Sequence, residues 1–395
     1  EAQLRTTSVY LPDRVCPMLP EKLSNLVCSL RPDEDKCAFS VLFDFDQKME
    51  IRNYTFAKTV IRSNKRFTYE QAQEVLEGEE SPYSKEVLYM NKLAYHLREQ
   101  RFKNGSINFE TEEVRFRFDE NNHPIDVYVK ERKDAHMLVE DFMLLANTTV
   151  SKYLSIPPKD DKIKRSSVYR VHDKPSQEKL GQLSAIARRF GHTFNFKDES
   201  KIQDTLTNMM EIIKDKPEKA LLSKMAVRTM SKAEYTTTNI GHYGLAFENY
   251  THFTSPIRRY PDVLIHRLLH ERLLHEKPQY TSEELQNLCA KSSDMERRAQ
   301  GAEREAIKYK QAEYLHDRMG EEFTGIISGV ISRGFFVELD ANKCEGFVSV
   351  QDFDEDFTHD EDNLSLTGLR SKNRFAIGDP ITVIVAGVNV PEKRI

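Results

Sequence analysis

The hydrophobic period of the chain turns helical near residue 134 and shifts again near Gly320, and the second shift divides it into two bodies of different architecture. Upstream, from about residue 134, apolar residues recur at helical spacing. His136 to Leu154 carries Val139, Phe142, Ala146 and Val150 on one stripe, and Ser176 to Phe190 carries Leu180, Leu183, Ala187 and Phe190 before Gly191. Residues 202–230 supply one or two helices broken near Pro217. Ser282 to Met319 opens on the capping-box pair Thr281 and Glu284 and closes at Gly320. Downstream the pattern is short strands with glycine bends: Phe323, Gly325 and Ile327, then Gly334 to Leu339, Glu345 to Val348, and Ile381 to Val388. That pattern over about 75 residues suits a small OB-type barrel.

The first third is mixed. Pro12, Pro17, Pro20 and Pro32 punctuate extended or turning segments. Phe39, Val41, Phe43 and Phe45 alternate as a half-buried strand, and a turn at Asp46-Gln47-Lys48 leads to a second run from Ile51 to Ile61. Residues 69–100 are helical in pattern. Val114, Phe116 and Phe118 then answer Ile125, Val127 and Val129 across Glu120 to Pro124. The fold class is α+β: a mixed body over 1–320 followed by a small all-β OB-fold barrel over 321–395. No internal repeat is present.

Composition removes several classes. The longest apolar stretches fall far short of the ~20 residues of a membrane span, so no membrane partner is expected. A net charge of −5 does not announce a nucleic-acid binder, and an anionic ligand requires a locally basic channel. Five cysteines, Cys16, Cys28, Cys37, Cys289 and Cys344, are odd in number and lack C-x-x-C spacing, which reads as buried thiols in a reducing compartment. The polar opening residues carry no signal peptide. Neither a G-x-G-x-x-G nor a P-loop stands in context, so a cofactor-dependent metabolic enzyme has no support.

His252-Phe253-Thr254-Ser255-Pro256-Ile257-Arg258-Arg259-Tyr260-Pro261-Asp262 is the most informative string. Ser255 before Pro256 reads as a helix start, whose free N–H groups attract anions. Arg258 and Arg259 add forked donors suited to phosphate oxygens.

This string resembles the signature of the ribonuclease II/ribonuclease R family, the RNB domain. The resemblance extends through Thr7 to Pro12, Pro17 to Pro20, Leu23 to Asn25 and Cys28 to Leu30, then Arg170 to Pro175 and Gly241 to Leu245. Residues 321–395 resemble the RNA-binding OB domain that follows the catalytic domain, so the likeness covers essentially the whole chain. His172-Asp173-Lys174-Pro175 and Arg258 to Asp262 are nearer the ribonuclease R branch. The resemblance implies a processive 3′-to-5′ exoribonuclease that hydrolyses single-stranded RNA from its 3′ end and releases nucleoside 5′-monophosphates with Mg²⁺. It places Arg258 on the scissile phosphate, Tyr69 near the product phosphate, and Glu303 in the catalytic site, as in many relatives. Tyr10 and Phe109 match aromatics that clamp the last bases, Glu140 matches a contact to the terminal ribose, and Arg259 falls in the RNA-binding string. In the barrel, Phe335 and Phe336 are candidates for base stacking, and strand alternation turns one of them into the core. Ser349 stands where the family commonly has His.

The metal ligands are unknown. In the family they come from an Asp-rich motif upstream of the Thr7 block, and the chain begins just after that place. Asp33, Glu34 and Asp35, and likewise Asp44 and Asp46, read as solvated turn charges. The expectation is therefore a fragment of a longer exoribonuclease, N-terminally truncated, without cold-shock-type domains and with the barrel incomplete at Ile395. The expected partner is a single-stranded RNA 3′ end, and the expected state is a cytoplasmic monomer. The competing reading is a catalytically inactive RNA-binding clamp on a degenerate nuclease body, and the upstream Asp cluster discriminates the two.

Overall fold

The computed structural model describes residues 1–109, 113–156, 165–361 and 364–395. Asp35–Phe45 and Ile51–Arg62 form a long antiparallel hairpin with Phe39 opposite Lys58. Asp46 closes its turn, accepting the Lys48 and Glu50 amides at 2.8 and 3.0 Å, and those bonds hold its carboxyl below the usual value. Asp35 pairs with Arg62 at 2.8 Å. Both acids are thus committed to the hairpin.

The second hairpin, Glu113–Phe118 with Pro124–Lys130, lies on the helix Ser282–His316. Its tip is tied down by His123 Nε2 to Asp317 at 2.6 Å and by Lys310 Nζ donating to the Asn122 carbonyl at 2.9 Å. The 35-residue helix starts as its capping box requires, with Thr281 Oγ1 accepting the Glu284 amide and Glu284 accepting the Thr281 amide.

Three apolar cores follow. Helices Gln177–Arg189, Ile202–Ile213 and Lys219–Thr229 bury Leu180, Leu183, Leu206, Met209, Ile213 and Leu222 together. Helices Asp134–Ser155, Tyr260–Leu273 and Ser282–His316 meet through Val150, Leu264, Ile265, Leu269 and Cys289. The third core is the C-terminal β module. Its four-stranded sheet runs in the order Glu345–Ser349, Gly334–Leu339, Glu322–Ile331, Pro380–Ile384, and a three-stranded sheet of Phe357–Asp360, Ser365–Gly368 and Arg374–Ala376 faces it. Phe335, Ile327, Val337 and Leu366 fill the space between. At Gly334 the strands approach so closely that a Cβ would stand 2.1 Å from the Val348 carbonyl oxygen.

The module is joined to the body through Ile377, which is buried in the helical core. The cysteine expectation is corrected. Cys289 and Cys344 are buried, but Cys16, Cys28 and Cys37 are exposed, and all five are free. Cys16 and Cys37 lie in two-stranded ribbons, which leave backbone and side chains uncovered where no third layer packs.

Candidate active site

The segment from Thr6 to Tyr10 assembles the site by running antiparallel to the arginine string. Tyr260 N–H donates to Thr6 O at 2.8 Å, Ser8 N–H donates to Arg258 O at 3.0 Å, and Thr7 bridges Arg259. Two residues on, Tyr10 N–H donates to Glu303 Oε1 at 2.8 Å. Backbone bonds therefore bring Tyr10, Arg258 and Glu303 to one place from three distant parts of the chain. Tyr10 presents 47% of its surface to solvent, an exposure that leaves its ring free to stack.

The helix does not start at Ser255-Pro256 as the sequence predicts. Ser255 to Arg258 form a turn closed by Arg258 and Arg259 amides on the Ser255 carbonyl, and the helix begins at Tyr260 with Pro261 in its first turn. The reason is Asp262, which is fully buried and captures the turn. Its Oδ1 accepts the Ser255 amide at 2.7 Å, and its two oxygens take the Arg259 fork at 2.8 Å each. Arg259 thus forms an internal bidentate pair with Asp262 through its Nε and Nη2. Arg258 has no carboxylate or hydrogen-bond partner for its guanidinium among the described residues.

The turn is held from below. Asn147, 1% exposed on the Asp134–Ser155 helix, accepts the Phe253 amide at 2.9 Å and donates to the Tyr250 hydroxyl at 3.4 Å. His266 Nε2 meets the Phe253 carbonyl at 2.8 Å. The same helix carries Glu140 seven residues earlier, about 10 Å along the axis. Glu140 is half-buried and paired with Arg132.

Tyr69 opens the helix Tyr69–Leu76 behind the Thr68–Gln71 capping box. It is the wall between two clefts. One, about 650 Å³, is lined by Arg115, Tyr128, Lys130, Lys133 and His136 together with Glu70, Glu74 and Glu77. The other, about 720 Å³, is more apolar and is lined by Phe67, Tyr83, Val87, Met90 and Val139 with Lys65 and Arg66. The Tyr69 ring stacks on His136 at 4.2 Å, and Lys130 Nζ lies 5.8 Å from its centre.

One aromatic assignment changes, that of Phe335, while Phe109 is partly buried. Phe109 packs against the helical core around Leu180 and Leu206, with Ile107 N–H bonded to Gly244 O at 3.2 Å. No ring contact joins it to Tyr10 among the described residues. Phe335 is 1% exposed and stacks on Phe375 at 4.9 Å inside the barrel, so it cannot meet a base. Phe336 is the outward member and forms a cross-strand pair with Phe347 at 5.0 Å.

Among the described residues no group of three or more His, Cys, Asp or Glu gathers to hold a metal ion. The described residues therefore do not fit a divalent-cation site. The polar groups that sequence reading left without a role are Asn147, Asp262, His252 and Tyr235. Asp262 carried a signal in its i+3 spacing from Arg259, whereas the others required the tertiary structure.

The fold and this arrangement define an RNB-type nuclease body followed by an S1-type OB module, and the chain belongs to the RNB family. The RNB domain profile matches residues 1–275, and the S1 RNA binding domain profile matches residues 316–395. The chain is similar to ribonuclease R of Aquifex aeolicus (strain VF5), with 39% identity over all of this chain and 56% of that protein. It is similar to ribonuclease R of Escherichia coli (strain K12), with 33% identity over all of this chain and 50% of that protein. The chain thus spans about half the length of the curated relatives it matches. Among solved structures, Mycoplasma genitalium RNase R in complex with ribose methylated single-stranded RNA superposes with a TM-score of 0.91 at 29% identity, covering 100% of this chain and 62% of that one.

Proposed function

We propose that the protein is a processive 3′-to-5′ exoribonuclease that hydrolyses single-stranded RNA to nucleoside 5′-monophosphates. The observation that carries this reading is the uncompensated Arg258 guanidinium, on a turn whose backbone is bonded to the segment that carries the exposed Tyr10. Phosphoryl transfer is accelerated mainly by positioning and by charge placed where the transition state needs it. An arginine whose neighbour is already neutralised by Asp262 supplies such charge at the scissile phosphate.

Tyr10 stacks on a base near the 3′ end, and stacking of this kind contributes on the order of 1–3 kcal/mol per base without sequence preference. Glu303 acts by fixing the Tyr10 backbone. Tyr69, flanked by Lys130 and His136, receives the terminal phosphate, and Glu140 accepts the terminal 2′-OH once Arg132 yields. Phe336 with Phe347 offers a stacking platform on the barrel. Phe109 is the second aromatic of the clamp on the last bases. The divalent ion, which we take to be Mg²⁺, draws its ligands from outside the described residues, and none of the steps above passes through it. Five free thiols support a reducing, cytoplasmic setting, and the protein acts as a monomer.

The test is a 5′-labelled single-stranded RNA incubated with the full-length protein and Mg²⁺. A ladder that shortens by single nucleotides from the 3′ end is expected. Internal cuts, or binding with no cleavage, would sink the exonuclease reading, and the latter would favour an RNA clamp.

A further inference from the structure

Arg101, on the last turn of the helix Ser84–Lys103, has no task in the reaction proposed above, yet its side chain is nine-tenths buried and its guanidinium links separate segments of the site. Nη2 donates to Asp141 Oδ1 at 3.2 Å, and Arg98 Nε donates to the other oxygen of Asp141 at 2.8 Å. Nη1 donates to the Ser106 hydroxyl at 3.3 Å, and that hydroxyl donates in turn to the Gly244 carbonyl at 3.4 Å. The Ile107 amide donates to the same carbonyl at 3.2 Å.

The two ends of this chain of bonds lie next to two residues assigned to the RNA terminus. Asp141 follows Glu140 on the helix Asp134–Ser155. Successive helical residues point about 100° apart, so holding Asp141 against the helix Ser84–Lys103 fixes the rotation of its own helix, and with it the side to which Glu140 projects. Ser106 stands three residues before Phe109, on a stretch without regular secondary structure whose path is set by its bonds to Gly244. Asp141 is 3% exposed and Ser106 is fully buried, so neither is open to bulk water as a substitute partner.

We propose that Arg101 is a positioning residue that sets Glu140 and Phe109 together: through Asp141 it aims the carboxylate at the terminal 2′-OH, and through Ser106 it seats the aromatic against the terminal base. This rests on the roles given to Glu140 and Phe109 above.

The test is binding of the full-length protein, in EDTA so that nothing is cut, to labelled single strands measured by anisotropy. One is an RNA, one is the same RNA ending in a 2′-deoxynucleotide, and one is the same RNA ending in an abasic ribonucleotide. The deoxy-to-RNA ratio of dissociation constants reads Glu140, and the abasic-to-RNA ratio reads Phe109. A hydrogen bond to a charged group and a base stack each correspond to about tenfold. Arg101→Gln is expected to bring both ratios toward unity, matching Glu140→Ala in the first and Phe109→Ala in the second. Ser106→Ala is expected to lower only the second, and it makes the test should Arg101→Gln fail to fold. A merely structural role weakens all three strands alike and leaves both ratios at their wild-type values. That result, or a change in only one ratio in Arg101→Gln, overturns the inference while leaving the roles of Glu140 and Phe109 intact, and so does a wild-type abasic ratio in Ser106→Ala. If Glu140→Ala or Phe109→Ala leaves its own ratio unchanged, the role of that residue fails and the inference fails with it.

Discussion

Asp262 separates the fates of two adjacent arginines, neutralising Arg259 and capturing the Ser255 amide while Arg258 is left charged. Removing one partner of a buried pair strands the other charge, at a cost of about 3–5 kcal/mol, and here Asp262 is fully buried while Arg259 is mostly so. Asp262→Ala is therefore expected to lose stability on that scale in urea unfolding, and a loss under about 1 kcal/mol would mean that Arg259 finds water or another acid. The buried histidines make a second prediction. Burial first, then the nearby His172 and Arg170, pulls His242 from 6.5 down to about 3. Between those values the unfolded chain binds a proton that the folded chain refuses. Stability is complete above pH 6.5 and falls as the pH is lowered toward 3, by up to about 1.4 kcal/mol per pH unit for this one group. His242→Gln is expected to reduce that slope by one proton when unfolding midpoints are measured from pH 4 to 7. At this scale the sequence identified the arginine pair and its phosphate chemistry. It did not separate the two, because the difference lies in which fork meets a carboxylate.

At the scale of the element, local rules read well where they act alone. The Thr281–Glu284 box, the Thr68–Gln71 box and both hairpin turns are made by residues within a few positions of each other. Ser255-Pro256 misled because a competing local signal, Tyr260-Pro261-Asp262, starts the helix four to five residues later and uses Asp262 to close the preceding turn. The strand Gly334–Leu339 shows the reach and the limit of alternation. Period two requires Phe335 and Phe336 to part, but which one faces inward depends on pairing with Glu322–Ile331 and Glu345–Ser349. Phe335→Ala is expected to cost about 3–5 kcal/mol of stability. Phe336→Ala is expected to leave the fold intact and weaken single-stranded RNA binding by about 1–3 kcal/mol. Anisotropy and urea denaturation on the same two variants check this, and the reverse pattern would invert the register.

At the scale of the whole molecule, the β module meets the body closely around Gly378, besides Lys224–Glu338, Arg189–Asp379 and Leu315 of the long helix. Gly378 has φ +89°, and a Cβ there would lie 2.6 Å from Phe190 Cζ and 2.8 Å from Leu221 Cδ2. Gly378→Ala is expected to cost about 1–3 kcal/mol and to loosen the module, read as faster proteolysis near residues 317–321. Cleavage at the wild-type rate would mean that Lys224–Glu338 and the Ile377 contact suffice. The sequence by itself determined the two-part plan, the hairpins and helices, the family, and the string that carries Arg258, because each is written in residues close together in the chain or in motifs kept in order. Only the tertiary structure decided that Arg259 pairs with Asp262, that Glu303 holds Tyr10, that Phe335 belongs to the barrel core, and that Asn147 and His266 hold Phe253 ahead of the Arg258 turn. Those are contacts between residues up to 293 positions apart, and no local spacing encodes them.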